Sequence, residues 1–164
     1  MDPQKVILGK KVLIVDDEKD ILDILSELLE LCKLDTASSF EEAKDFLDRY
    51  DYDIVVLDIM GVKGFDLLEI AKQKGIPALM LTAHALTEDS LKKSAQDGAS
   101  YFVPKDEIAQ IATFVADVLE ATEKEKNPWA RWFERLSGTF DGIFTGPNWR
   151  EREKEFWDKM RWEE

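Results

Sequence analysis

Lys11-Val12-Leu13-Ile14-Val15-Asp16-Asp17 is the stretch that decides the fold. An unbroken apolar run rich in β-branched residues, ending on two aspartates, reads as a strand buried on both faces. Behind it, Ile21, Leu22, Ile24, Leu25, Leu28, Leu29 and Cys32 recur at helical spacing. The alternation then repeats. A short strand near Leu34–Ala37 precedes a helix from Ser39, a capping serine with Glu42 three residues on, to Arg49. Asp53–Leu57 is a strongly apolar strand ending at Asp58, followed by a helix over Phe65–Lys74 closed by Gly75. Pro77–Leu81 is the fourth strand, and a helix from about Thr87 to Gln96 ends at Asp97-Gly98. Tyr101–Val103 is the fifth strand and Ile108–Thr122 the last helix of the series. Five strand–helix units in strict alternation predict an α/β domain, a doubly wound parallel sheet covered by helices on both faces.

The chain has 164 residues, enough for one ordinary domain and an appendage. No run of about 18 apolar residues occurs, and the segment after Met1-Asp2-Pro3-Gln4-Lys5 is too short for a secretory signal, so the expected location is cytoplasmic. Cys32 is the single cysteine, which excludes an internal disulfide and a cysteine-built metal cluster; on the apolar side of a helix it reads as core. The net charge of −13 resides wholly in residues 1–123, with 13 Lys+Arg against 26 Asp+Glu, whereas residues 124–164 balance at nine of each. Such a field repels phosphates, so direct nucleic-acid binding is not expected.

Ligands of a doubly wound sheet bind beyond the carboxyl ends of its strands. Asp16 and Asp17 end the first strand, Asp58 the third and Thr82 the fourth, and Lys105 follows the fifth. A lone aspartate at a strand end is ordinarily a helix cap, and Glu18 and Asp20 read as charge at a helix N-terminus. Capping, however, predicts neither a threonine nor a lysine opposite. Three carboxylates in one crevice require a cation, and Mg²⁺ suits them because it takes hard oxygen ligands and commonly bridges carboxylates and phosphate. A carboxylate nucleophile attacking phosphorus needs its three phosphoryl oxygens neutralised, which the metal, Lys105 and the Thr82 hydroxyl can share with backbone amides after Asp58.

Residues 10–122 resemble a response-regulator receiver domain of bacterial two-component signalling. The matching residues are Val12-Leu13-Ile14-Val15-Asp16-Asp17-Glu18, Val55-Val56-Leu57-Asp58-Ile59-Met60, Gly64, Leu81-Thr82-Ala83 and Pro104-Lys105. The resemblance implies a flavodoxin-like sheet of strand order 2-1-3-4-5, with Asp58 as the phospho-acceptor. It implies that Asp16, Asp17, Asp58 and the backbone carbonyl of Met60 hold Mg²⁺. Thr82 becomes the switch hydroxyl, Phe102 the aromatic that rotates with it, Lys105 the partner of a phosphoryl oxygen and Ala83 the small neighbour. Met60 and His84 would flank the phosphoryl group and shield it from water. The segment from Asp58 to Gly64 is shorter than the family's loop and lacks its proline, with Gly61 in its place, and Pro104-Lys105 reverses the commoner order.

Residues 123–164 change character. All five tryptophans (Trp129, Trp132, Trp149, Trp157 and Trp162) lie there, and Gly138, Gly142, Gly146 and Pro147 punctuate the segment, which predicts two short helices around a glycine-rich turn. So many indoles must bury against the receiver, a second copy or another protein. The alternation of Arg150, Arg152 and Lys154 with Glu151, Glu153 and Glu155 argues against a membrane-surface helix. The reading is a stand-alone receiver with a Trp-rich helical tail and no recognised output domain. Its expected donor is a sensor histidine kinase or phosphotransfer protein, and it catalyses only its own phosphorylation and dephosphorylation. A degenerate receiver serving as an interaction module is the alternative. A Mg²⁺-dependent phosphohydrolase is the other, although the haloacid-dehalogenase-like enzymes space their two aspartates differently from Asp16-Asp17.

Overall fold

The computed structural model describes residues 2–83, 88–143, 156 and 158–160. The elements run α1 (Pro3–Ile7), β1 (Lys11–Val15), α2 (Lys19–Leu28), β2 (Lys33–Ala37), α3 (Phe40–Arg49) and β3 (Ile54–Asp58). They continue with α4 (Gly64–Gln73), β4 (Ala78–Thr82), α5 (Glu88–Gln96), β5 (Tyr101–Pro104), α6 (Ile111–Glu123) and α7 (Trp129–Ile143). All strand pairings are parallel and the sheet order is β2-β1-β3-β4-β5, as the resemblance implied.

Topology follows from burial. β1, β3 and β4 are interior strands, and Val12 to Val15, Ile54 to Leu57 and Leu79 to Leu81 are all fully buried. With right-handed crossovers, the chain moves one way from β1 to β2 and the other way thereafter. The helix after β1 therefore lies on one face and those after β2, β3 and β4 on the other; α2 packs on α6, and α3 on α4. β2 is an edge strand, and its Lys33 and Thr36 are exposed accordingly. β5 is the opposite edge, yet Tyr101, Phe102 and Val103 are fully buried. The tail explains this difference, because α7 packs on β5.

Local signals account for most boundaries. Ser39 Oγ accepts from the Glu42 amide at 3.2 Å, and Glu42 Oε1 accepts from the Ser38 amide at 2.9 Å, a reciprocal cap on α3. Three elements differ from the sequence pattern. α1 forms because Asp2 caps the Gln4 amide at 3.0 Å and Pro3 occupies the first helical position; it packs on α6 and buries Ile7. The helix expected at Ile108 begins at Ile111, after a 3-10 stretch over Lys105–Gln110 that turns the chain directly out of β5. In the tail, the helix runs on through Gly138 and Gly142 to Ile143. Glycine in a helix costs about 1 kcal/mol, which burial of Trp129, Trp132, Phe133 and Leu136 in the same helix outweighs.

The tail is held by specific polar contacts as well. Trp129 Nε1 donates to the Ala99 carbonyl at 3.0 Å and Trp132 Nε1 to the Phe102 carbonyl at 2.8 Å. Asp117, buried on α6, accepts from the Tyr101 hydroxyl at 2.8 Å, from Arg131 Nη1 at 2.9 Å and from both Nε and Nη2 of Arg135. A buried carboxylate so fully paired is tolerated, whereas a lone one is not. Burial first, and then the Asp117 charge, pushes the Tyr101 hydroxyl up, so it remains a donor. Further on, Asn127 Nδ2 donates to the Met160 carbonyl, and the Lys92 ammonium lies 5.4 Å from the Phe156 ring centroid.

Candidate functional site

The parallel register brings the expected residues to one edge of the sheet. Asp58 stands opposite Leu81, and Thr82 opposite Pro104, with Lys105 next in the chain. Asp16 leaves β1 with its amide bonded to the Ala37 carbonyl at 3.1 Å. Asp16, Asp58 and Thr82 are buried, 0%, 4% and 6% exposed, while Asp17 is exposed.

Lys105 links the group. Its Nζ lies 3.1 Å from Asp16 Oδ2, 3.3 Å from Asp58 Oδ1 and 3.4 Å from Glu18 Oε1. The other oxygen of Asp58 accepts from the Gly61 amide at 3.2 Å. Asp16 Oδ1 accepts from the Glu18 amide at 2.9 Å. The Lys105–Asp16 contact is an ion pair outside hydrogen-bond geometry, so Asp16 Oδ2 is buried with its hydrogen-bonding capacity unused.

The electrostatics are unbalanced. Desolvation, with the Asp58 charge adding, raises the Asp16 carboxyl above its ordinary value despite the Glu18 amide and Lys105. Desolvation likewise raises Asp58, against the pull of Lys105 and the Gly61 amide, and the nearby Asp17 charge adds to the rise. Burial alone would lower the Lys105 ammonium, but its contacts with Asp16 and Asp58 outweigh that and raise it. One largely enclosed cation, Lys105, thus serves several carboxylates. Carboxylate oxygens of Asp16, Asp17 and Glu18 lie within 4.8 Å of one another, a grouping able to hold a metal ion.

Two glycines shape the loop. A Cβ at Gly61 would fall 2.3 Å from Cγ and both oxygens of Asp17, so the bare backbone is the floor on which that carboxylate rests. A Cβ at Gly64 would fall 2.3 Å from the Asp58 carbonyl oxygen, which fixes glycine where the shortened loop returns to β3.

The remaining expected residues fall as follows. The Thr82 hydroxyl donates to the Ala83 carbonyl at 3.4 Å, and Ala83 is exposed. Phe102 is fully buried in β5. The Met60 side chain is 83% exposed, and His84 lies outside the described residues. Glu18, read from sequence as helix-terminal charge, instead reaches Lys105; only the tertiary fold reveals that contact.

Comparison with known proteins identifies the family and the fold. The model of the response regulator receiver domain matches residues 12–116. Heme response regulator HssR of Staphylococcus epidermidis is 37% identical over 98 residues, covering 57% of this chain and 43% of that protein. Response regulator protein PilR of Pseudomonas aeruginosa is 31% identical over 123 residues, 71% of this chain and 27% of its own length. The chain thus spans less than half the length of either relative. Among solved structures, a CheY-like receiver domain protein from Methanospirillum hungatei aligns at TM-score 0.64 and 27% identity, over 71% of this chain and 98% of its own. A receiver domain protein from Clostridium thermocellum aligns at TM-score 0.62 and 28% identity, over 70% and 97%. With a family match across most of the chain, a β2-β1-β3-β4-β5 parallel sheet and an acidic crevice at its carboxyl edge, this chain belongs to the response regulator receiver domain family.

Proposed function

We propose that this chain is a phosphorylation-activated switch in which Asp58 accepts a phosphoryl group from a sensor histidine kinase or phosphotransfer protein. The observation that carries the reading is the position of Lys105 Nζ, 3.3 Å from one Asp58 oxygen while the Gly61 amide holds the other at 3.2 Å. An Asp58 oxygen forms the new bond to phosphorus as the donor's phosphorus–nitrogen bond breaks and its electron pair returns to the imidazole. Lys105 and the backbone amides meet the charge that builds on the phosphoryl oxygens. Thr82 turns its hydroxyl from the Ala83 carbonyl toward the phosphoryl group, Ala83 leaves room for it, and Phe102 responds within β5. Met60 and, outside the described residues, His84 have the proposed role of slowing the entry of water to the product. The phosphoryl group ends on the chain's own side chain, so the domain acts as a switch, with residues 123–164 as its output element.

Asp16, Asp17, Asp58 and the Met60 carbonyl are the proposed holders of Mg²⁺. When bound, the ion neutralises the carboxylates and the phosphoryl oxygens. The unused buried oxygen Asp16 Oδ2 and the surplus of carboxylates over ammonium groups both fit a cation there. Because Gly61 underlies Asp17 and does not adopt a positive φ, Gly61→Ala should leave the fold intact while displacing that carboxylate. Mg²⁺ affinity should then fall tenfold or more, on the order found for changes around metal ligands. Titration calorimetry that found equal affinity would remove Asp17 from the ligand set.

The raised carboxyls also fix a pH dependence. Without metal, Asp16 and Asp58 take up a proton more readily in the folded chain than in the unfolded one, so their contribution to stability is present below the ordinary carboxylate range. It is lost as pH rises through their raised values. Mg²⁺ binds the charged forms and should raise the melting temperature more at neutral than at mildly acidic pH. Equal shifts at both would contradict this.

The function itself is tested by incubating the full chain with acetyl phosphate and Mg²⁺. The intact mass should rise by one phosphoryl group, and Asp58→Ala should abolish the gain. An unchanged mass in the unsubstituted chain would overturn the reading.

A further inference from the structure

Trp132 is tied to the strand that leads directly into the site, and Trp129 to the turn that enters that strand. Their indole nitrogens donate to the carbonyls of Ala99 and Phe102, and Lys105 follows three residues after Phe102. The tail grips other elements too, α6 through Arg131 and Arg135 on Asp117 and α5 through Phe156 beneath Lys92. Its described residues therefore touch one face of the domain, at α5, β5 and α6.

We propose that the tail is a latch on this face, docked in the unphosphorylated geometry and loosened when Asp58 is phosphorylated, an inference that rests on Asp58 being the phospho-acceptor. Lys105 divides its charge among Asp16, Glu18 and Asp58 at 3.1, 3.4 and 3.3 Å. A phosphoryl group on Asp58 adds a charge of about −2 and three strong acceptors, and it outcompetes the other two carboxylates for the ammonium. That pull acts on the first residue after β5. The indole hydrogen bonds to the Ala99 and Phe102 carbonyls are directional and weaken steeply as their angles open. The second anchor, Asp117, belongs to α6 and is itself bonded to Tyr101 of β5, so α7 keeps both anchors only while β5 and α6 hold their present relation. The unphosphorylated geometry satisfies the two anchors together, and departure from it releases the helix. Coupling is reciprocal: weakening the latch must favour the phosphorylated geometry.

Tryptophan emission of the full chain reports the tail alone, since residues 1–128 contain no tryptophan. Beryllofluoride with Mg²⁺ serves as the phosphoryl mimic, its binding followed by calorimetry and the tail followed by fluorescence. Emission is expected to shift to the red, saturating at the same mimic concentration as the heat. Trp132→Phe keeps a ring but removes the indole donor, and it should bind the mimic about fivefold more tightly. Binding heat with unchanged or blue-shifted emission overturns the latch, as does a Trp132→Phe chain that binds no more tightly. Absence of binding heat in the unsubstituted chain overturns the reading of Asp58 itself, so the two failures are distinguishable.

Discussion

Trp132→Ala is expected to lower the unfolding free energy by about 4 kcal/mol. The indole is fully buried, lies edge-on to Trp129 and Phe133 with centroids 5.0 Å away, and hydrogen-bonds to β5. Truncation leaves a cavity between α7 and the sheet and removes that bond to the Phe102 carbonyl. The loss is capped by the docking free energy of α7, beyond which the helix leaves the sheet and exposes β5. Trp132→Phe should cost less, about 1.5 kcal/mol, because most of the ring volume remains while the indole hydrogen bond is lost. Urea unfolding followed by circular dichroism measures both. A loss below about 1 kcal/mol for the alanine variant, the level of an ordinary substitution, would mean that the tail is no part of the core.

Lys105→Ala should slow phosphorylation by acetyl phosphate about 100-fold, comparable with the loss of one aligned donor to a developing oxyanion. The side chain is the ammonium that the buried carboxylates of Asp16 and Asp58 share. Its removal leaves both buried charges without their cation, which raises the proton affinity of Asp58 and lowers the fraction of nucleophilic carboxylate. Lys105→Arg restores the charge but presents a planar fork in place of a compact ammonium, so only partial recovery is expected. The time course of the mass gain gives the rates. An alanine variant within about threefold of the parent would assign the transition-state charge to other groups.

The sheet was legible because its strands carry the signal of two-sided burial, as in Val12 to Val15 and Ile54 to Leu57. Site residues were legible for a related reason: once strand ends are known, Asp16, Asp58, Thr82 and Lys105 can only meet at one edge. What escaped the sequence depends on distances between elements. Glu18 reaches Lys105 across 87 residues of chain, and no local pattern announces that contact. Asp117 sits in an apolar helix as an apparent anomaly, explained only when Arg131 and Arg135 come down on it. The number of indoles in the tail called for burial, but nothing local named β5 as the surface that receives Trp132. α1 had its signals, Asp2 as cap and Pro3 at the first helical position, but five residues are too few to display a period.

Asp58 is the residue proposed to take the phosphoryl group. An aspartyl phosphate is an acyl phosphate, and borohydride reduces it to the alcohol, converting the aspartate to homoserine. The full chain should be treated with acetyl phosphate and Mg²⁺, reduced and read by peptide mass. Homoserine is expected at position 58 and at no other aspartate. Homoserine at position 16 or 17, or an unmodified position 58 in a chain that has gained phosphoryl mass, would contradict it.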